Sequence, residues 1–248
     1  MSNYIPTIGL EVHVEIKSKS KLFSDSANAY GMATNTSVNV IDLGYPGTLP
    51  TLNKEVIRQA LRACKVLNCD ITRKMHFDRK NYFYPDNSKN YQITQNRTPI
   101  GTNGYVEIEV DGVKKKIGIS DIHIEEDTCK SAHRGSVSLL DFNRAGVPLI
   151  EIVTTPSISN GKEAMAYLTK LKEMLFYANI SDCKMEEGSM RCDANVSISK
   201  TDILGVRTET KNIGSIHNVG LAIEKEIERQ EKVLETGGII REETRRFD

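Results

Sequence analysis

Between residues 8 and 17 the chain alternates. Ile8, Leu10, Val12, Val14 and Ile16 are apolar, whereas Gly9, Glu11, His13, Glu15 and Lys17 are not. A period of two belongs to a strand with one buried and one open face, so Glu11, His13 and Glu15 share the open face. From Asn53 to Asn68 the period changes, and Val56, Ile57, Ala60, Leu61, Cys64 and Leu67 form the stripe of an amphipathic helix. Short strands are predicted at Tyr82 to Tyr84, Tyr105 to Val110, Lys115 to Ile119, Asp121 to Glu125 and Leu149 to Val153, with Asn103-Gly104 and Asp111-Gly112 as hairpin turns. Helical spacing returns from Lys162 to Ala178, and alternation from Ser189 to Ser199 and again near Arg207 to Ile213. A last helix runs from about His217 to Glu235 and ends before Gly237-Gly238. The order predicts an α+β fold, a mostly antiparallel sheet with flanking helices. With no repeat and no linker composition, residues 1–248 read as one continuous domain.

Charge narrows the partners. The 248 residues carry 33 basic and 33 acidic side chains and no net charge, so affinity for nucleic acid has to come from a local patch or another chain. The N-terminus lacks a basic stretch followed by an apolar core, and nowhere do eighteen apolar residues run together, so neither a secretory signal nor a membrane span is expected. Cys64, Cys69, Cys129, Cys183 and Cys192 form no C-x-x-C pair and fit reduced thiols in a cytoplasm-like compartment. The common phosphate-loop, dinucleotide, nucleophile-elbow and zinc spacings do not occur. Any ATP site here is a non-standard one.

Several rows of side chains suit phosphate and metal chemistry. Glu11, His13 and Glu15 stand roughly 7 Å apart on one strand face, a row that a divalent ion can bridge and that any solvated sheet face also produces. His123 to Asp127 is an acidic group at a strand end, suited to Mg²⁺ or simply to a surface turn. Glu151 interrupts the apolar run Pro148 to Val153, where a carboxylate needs a metal or an ion-pair partner. Arg79 and Lys80 precede Tyr82, Phe83 and Tyr84, a mixture fit for phosphate and base contacts or for an ordinary strand. Arg191, Asp193 and Asn195 line one face of their strand, residue types that hold phosphate and its Mg²⁺ or coat an exposed sheet.

Five ordered segments carry a resemblance: Ile8–Val14 (IGLEVHV), Gly44–Pro50 (GYPGTLP), Phe77–Asp86 (FDRKNYFYPD), Met185–Asn195 (MEEGSMRCDAN) and Glu243–Asp248 (ETRRFD). Over essentially its whole length the chain resembles the B subunits of aspartyl/glutamyl-tRNA amidotransferases. The resemblance implies a cradle-shaped catalytic domain that uses ATP and Mg²⁺ to phosphorylate the side-chain carboxylate of Glu-tRNA(Gln) or Asp-tRNA(Asn), after which ammonia makes the amide. It implies an amidase A subunit that hydrolyses glutamine, a small C subunit, and a cytoplasmic or organellar-matrix setting without a membrane. It carries metal ligation to Glu11, His13, Glu126 and Glu151, with Glu125 able to take the place of Glu126. Catalytic roles fall on Glu126, Glu151 and Arg191, and nucleotide contacts on Arg79, Lys80, Asp193 and Asn195. Where many members hold zinc with cysteines, this sequence has Ser24, Ser26, Asn39 and Asp42, so no zinc is expected. The family continues beyond Arg-Arg-Phe-Asp into a helical domain and a tRNA-binding tail, which implies an incomplete cradle that is inactive alone. The alternative reading is a scaffold module that docks the A subunit without activity.

Overall fold

A computed structural model describes residues 3–247. Among them, twelve strands and three α-helices follow in the order β1 (Ile5–Glu15), α1 (Lys54–Val66), β2 (Asp70–Ile71), β3 (Asp78–Asn81), β4 (Tyr91–Thr94), β5 (Gly101–Val110) and β6 (Val113–Glu126). The chain continues through β7 (Lys130–Arg134), β8 (Val137–Asp141), β9 (Pro148–Thr154), α2 (Gly161–Tyr177), β10 (Met190–Ser199), β11 (Thr208–Lys211), α3 (Ile216–Glu235) and β12 (Glu243–Arg246). Eight strands form one sheet in the order β12-β11-β10-β1-β9-β6-β5-β2, while β3-β4 and β7-β8 are separate hairpins. Every pairing is antiparallel except β11 with β12, so the fold is α+β and mostly antiparallel.

The helices begin where the sequence places caps. Asn53, Asn160 and Ser215 each accept a backbone N–H two or three residues on, which satisfies donors that the first turn leaves open. Their apolar stripes, including Val56, Ala60, Leu168, Leu171, Val219 and Ile223, merge with Leu10, Val12, Val14, Ile150, Ile152, Ile122, Ile124 and Ala194 in one core. One sheet face is therefore sealed by helices. The other is free for chemistry.

β6 is a single 14-residue strand where the alternation suggests two. A bulge lies between Ile119 and Asp121 in its pairing with β9. Up to Ile119 the odd positions are buried (Ile117, Ile119), and beyond the bulge the even ones are (Ile122, Ile124), so the extra residue Ser120 reverses the phase. Asp111-Gly112 is the expected hairpin turn, with both residues at positive φ (51° and 79°), the conformation a two-residue turn of this hand requires. Asn103-Gly104 is not a turn. Asn103 takes φ 55° inside β5, opposite the bulge.

One further expectation changes, and some strands escape the sequence pattern. Tyr82 to Tyr84 is not a strand, because the ladder with β4 occupies Asp78–Asn81 and the chain leaves it before Pro85. Tyr82 and Tyr84 stack instead at 6.0 Å on the surface. The β7-β8 hairpin escapes a periodicity argument because every residue of β7 is exposed. The short charged strand β12 escapes it for want of apolar residues, and Asp248, at the end of its motif, lies outside the described residues.

The segment between β1 and α1 is anchored by charge. Lys21 is fully buried, and its ammonium donates to Asp42 at 3.2 Å and to the carbonyls of Ser37 and Phe142. Ser24 and Ser26 donate to the two oxygens of Asp42 at 2.7 Å each, and the Asn39 amide N–H reaches Asp42 at 3.1 Å. Ser24, Ser26 and Asn39 thus converge with Lys21 on the one carboxylate of Asp42. Asp42→Asn should leave the buried ammonium without its counter-charge and cost about 3 kcal/mol, read as a lower urea midpoint with an unchanged slope.

Candidate metal and phosphate site

Cross-strand register assembles the open face. In β1, Glu11 lies opposite Asp193 on one side and Val153 on the other, and His13 lies opposite Arg191 and Glu151. Next, Glu151 lies opposite His123, and Leu149 opposite Glu125. Odd-numbered positions of β10, β1, β9 and the second half of β6 therefore share one surface.

Its centre is a group of three donors. His13, Glu125 and Glu151 each offer a ligand atom within 4.8 Å of the others. His13 Nε2 is 3.4 Å from Glu125 Oε1 and 3.4 Å from Glu151 Oε2. Glu125 is 2% exposed, and its Oε2 is buried without a hydrogen bond, with only Lys80 Nζ at 4.0 Å. A buried carboxylate oxygen without a donor is costly unless something cationic comes to it. Mg²⁺ holds oxygen and nitrogen donors at about 2.1 Å, hence about 3 to 4.2 Å from one another, so this set fits a divalent ion after small adjustments.

A second histidine stands behind the group. His123 Nε2 is 2.8 Å from Glu151 Oε2, and its Nδ1 is 3.0 Å from Asp121 Oδ1. Burial disfavours charge on both imidazoles, but hydrogen bonds to carboxylates outweigh it, raising His13 to about 10 and His123 to about 9. Burial likewise pushes Glu151 up, and the hydrogen bonds from His123 and His13 overcome it, holding the carboxyl well below its ordinary value. For Glu11, burial and the neighbouring Glu151 charge win over the Asn195 hydrogen bond and raise it.

The remaining sequence candidates divide clearly. His13 and Glu151 lie together, and Glu125 stands with them. Glu126, the next residue, points to the other face, where it accepts from Lys89 and, at 2.9 Å, from the Ile93 amide. In this structure it ties β6 to the β3-β4 hairpin. Glu11 lies on the correct face but accepts from Asn195 Nδ2 at 2.9 Å, and both line a neighbouring cavity of about 300 Å³. Arg191 is anchored by Asp127 at 2.8 Å, and Asp193 holds Lys211 at 2.9 Å. Arg79 stacks over the Tyr91 ring at 4.5 Å.

Two cavities flank the donor group. One, of about 510 Å³, is lined by His13 and Glu125 and by the cations Lys80, Arg191, Lys211 and Arg246. The other, of about 560 Å³, is lined by Glu151, His123, Asp121, Arg79 and again Lys80. Sequence reasoning named His123 only within the group 123–127 suited to Mg²⁺ or a surface turn, and it gave no role to Asp121, Lys211 or Arg246. Asp121, His123 and Glu125 were detectable, since they alternate on a predicted strand as Glu11, His13 and Glu15 do.

A sequence profile described as the GatB/GatE catalytic domain matches residues 6–248. The chain belongs to that family. Proteins named as the B subunit of aspartyl/glutamyl-tRNA(Asn/Gln) amidotransferase are similar throughout. The one from Geobacillus kaustophilus is 57% identical over 249 residues, covering 99% of this chain and 52% of the relative. That of Ligilactobacillus salivarius is 56% identical over 250 residues, with coverages of 99% and 52%. The Bacillus cereus (strain B4264) protein is 56% identical over 243 residues, with coverages of 97% and 51%. The chain thus spans about half the length of these relatives. Among the described residues no helix is long and apolar enough to cross a membrane.

The shifted histidines fix a pH dependence for the metal-free chain. Their folded values lie above the ordinary 6.5, so their stabilisation is complete below about pH 6.5 and is lost as pH rises through 9 to 10. Glu151 acts oppositely: its contribution is present above 4.5 and is lost as pH falls below that. The Tm difference between wild type and His13→Gln, measured with chelator, should be largest near pH 6 and shrink towards pH 10.

Proposed function

We propose that this chain carries the amide-forming site of a tRNA-dependent amidotransferase. It takes ATP with Mg²⁺ and phosphorylates the side-chain carboxylate of Glu or Asp carried by tRNA(Gln) or tRNA(Asn). The observation that carries the reading is the His13–Glu125–Glu151 donor group beside a cavity walled by Lys80, Arg191, Lys211 and Arg246. Metal donors next to clustered cations are the pairing a triphosphate with its divalent ion requires. The names of the relatives supply the substrate class.

The chemistry follows from a poor leaving group. A carboxylate cannot expel oxide, so one of its oxygens first attacks the γ-phosphorus of ATP and ADP departs, which leaves an acyl phosphate. Ammonia then adds to the acyl carbon, phosphate leaves with the C–O bond electrons, and the nitrogen loses a proton. A bound divalent ion supplies charge neutralisation where the triphosphate meets the carboxylate. The chain's own groups bind and orient. Lys80 borders both cavities, so its ammonium can follow the phosphoryl group between them. Arg191 and Lys211, fixed by Asp127 and Asp193, present cations at set positions rather than on free stems. The ammonia is proposed to come from glutamine hydrolysed on a partner A subunit, with a small C subunit in the assembly and a cytoplasmic or organellar-matrix setting.

Glu125→Gln or Glu151→Gln in the assembled enzyme should lower ATP-dependent amidation far more than tenfold, the factor that about 1.4 kcal/mol represents, while uncoupled glutamine hydrolysis persists. ATP titration of this chain with Mg²⁺ separates the reading from that of a docking module: saturable binding is expected, and its absence would leave only the scaffold role.

A further inference from the structure

Both ring nitrogens of His123 are engaged by carboxylates, Nδ1 with Asp121 Oδ1 at 3.0 Å and Nε2 with Glu151 Oε2 at 2.8 Å. With both nitrogens turned to carboxylates, the ring is not among the mutually close donors His13, Glu125 and Glu151. Its partner Asp121 is fixed in turn, because the bulge turns Ser120 to the same side and Ser120 Oγ donates to Asp121 Oδ2 at 2.8 Å.

We infer that His123 is a positioning residue: braced by Asp121, it sets the carboxylate of Glu151 in the orientation that the His13–Glu125–Glu151 group needs to hold a divalent ion. The inference rests on the metal reading of that group. Two imidazoles compete for Glu151 Oε2, and His123 is nearer than His13 by 0.6 Å (3.4 against 2.8 Å). When His13 Nε2 turns its lone pair to an ion, its contact with Glu151 ends. The His123 contact lies outside the donor group and remains. Hydrogen-bonding partners of this kind commonly change metal affinity by roughly 10- to 100-fold when removed.

The test is Mn²⁺ titration of the chain, with free Mn²⁺ followed by electron paramagnetic resonance, on wild type, His13→Ala, His123→Ala, His123→Gln and Asp121→Asn. Wild type should bind one tightly held ion, and His13→Ala should lose it. His123→Ala should weaken binding by roughly 10- to 100-fold. His123→Gln, whose amide N–H can still donate to Glu151, should recover to within about threefold of wild type by the same reasoning. Asp121→Asn should fall between the two. Thermal midpoints of the metal-free variants, recorded alongside, report folding. Wild-type affinity in His123→Ala would overturn the positioning role. Equal weakening in the Ala and Gln variants, tracking a common loss of thermal stability, would also overturn it and assign His123 to the fold alone. Absence of Mn²⁺ binding in wild type, or binding unaffected by His13→Ala, would remove the metal reading and this inference with it.

Discussion

Antiparallel register between β10, β1, β9 and β6 is the constraint on which the candidate site depends. His13, Glu151 and His123 come from three different strands, and they meet because each is the direct cross-strand partner of the next. No loop closure or induced movement is needed to bring them together. A sheet backbone holds such side chains more rigidly than a loop does, and the helices on the far face fix the sheet by burying its apolar half. The core and the chemistry are therefore two faces of one object, and whatever keeps Leu10, Val12 and Val14 inside keeps Glu11 and His13 outside.

That arrangement concentrates charge where solvent is scarce. Buried carboxylates at Glu125, Glu126, Asp127 and Glu151 would be expensive alone, and each meets a cation. Distance separates structural pairs from the reactive group. Lys89 closes fully on Glu126 and Arg191 on Asp127, whereas Glu125 keeps one oxygen without a hydrogen bond, with its nearest ammonium 4.0 Å away. Incomplete satisfaction in an otherwise well-paired neighbourhood marks the point at which an incoming cation gains most. Asp42, by contrast, is saturated by Lys21, Ser24, Ser26 and the Asn39 amide, and it holds a loop.

The same physics explains what the sequence made legible. Amphipathic patterns located β1, β10 and all three helices closely, because each buries a single continuous face. The polar rows Glu11/His13/Glu15 and Arg191/Asp193/Asn195 were visible for the same reason. Which rows face one another was not, since register is a property of pairs of strands. Adjacent Glu125 and Glu126 differ only in which side of the sheet they take, and that choice depends on the phase of β6. The β7-β8 hairpin and β12 carry no apolar alternation and could not be read from periodicity.

Ser120 gives that phase a wider meaning. Upstream of it β6 commits odd positions to the core, and downstream it commits even ones, so one inserted residue acts as a frame mark within a continuous strand. The two halves are thereby freed to change separately. Residues exchanged in matched pairs on either side preserve both buried rows, while pairing Ser120 into a regular ladder without the bulge would force a choice between Ile117 with Ile119 and Ile122 with Ile124. Keeping the first pair inside would turn Asp121, His123 and Glu125 into the core. A local irregularity of the backbone thus decides whether three titratable side chains face a ligand or the hydrophobic interior.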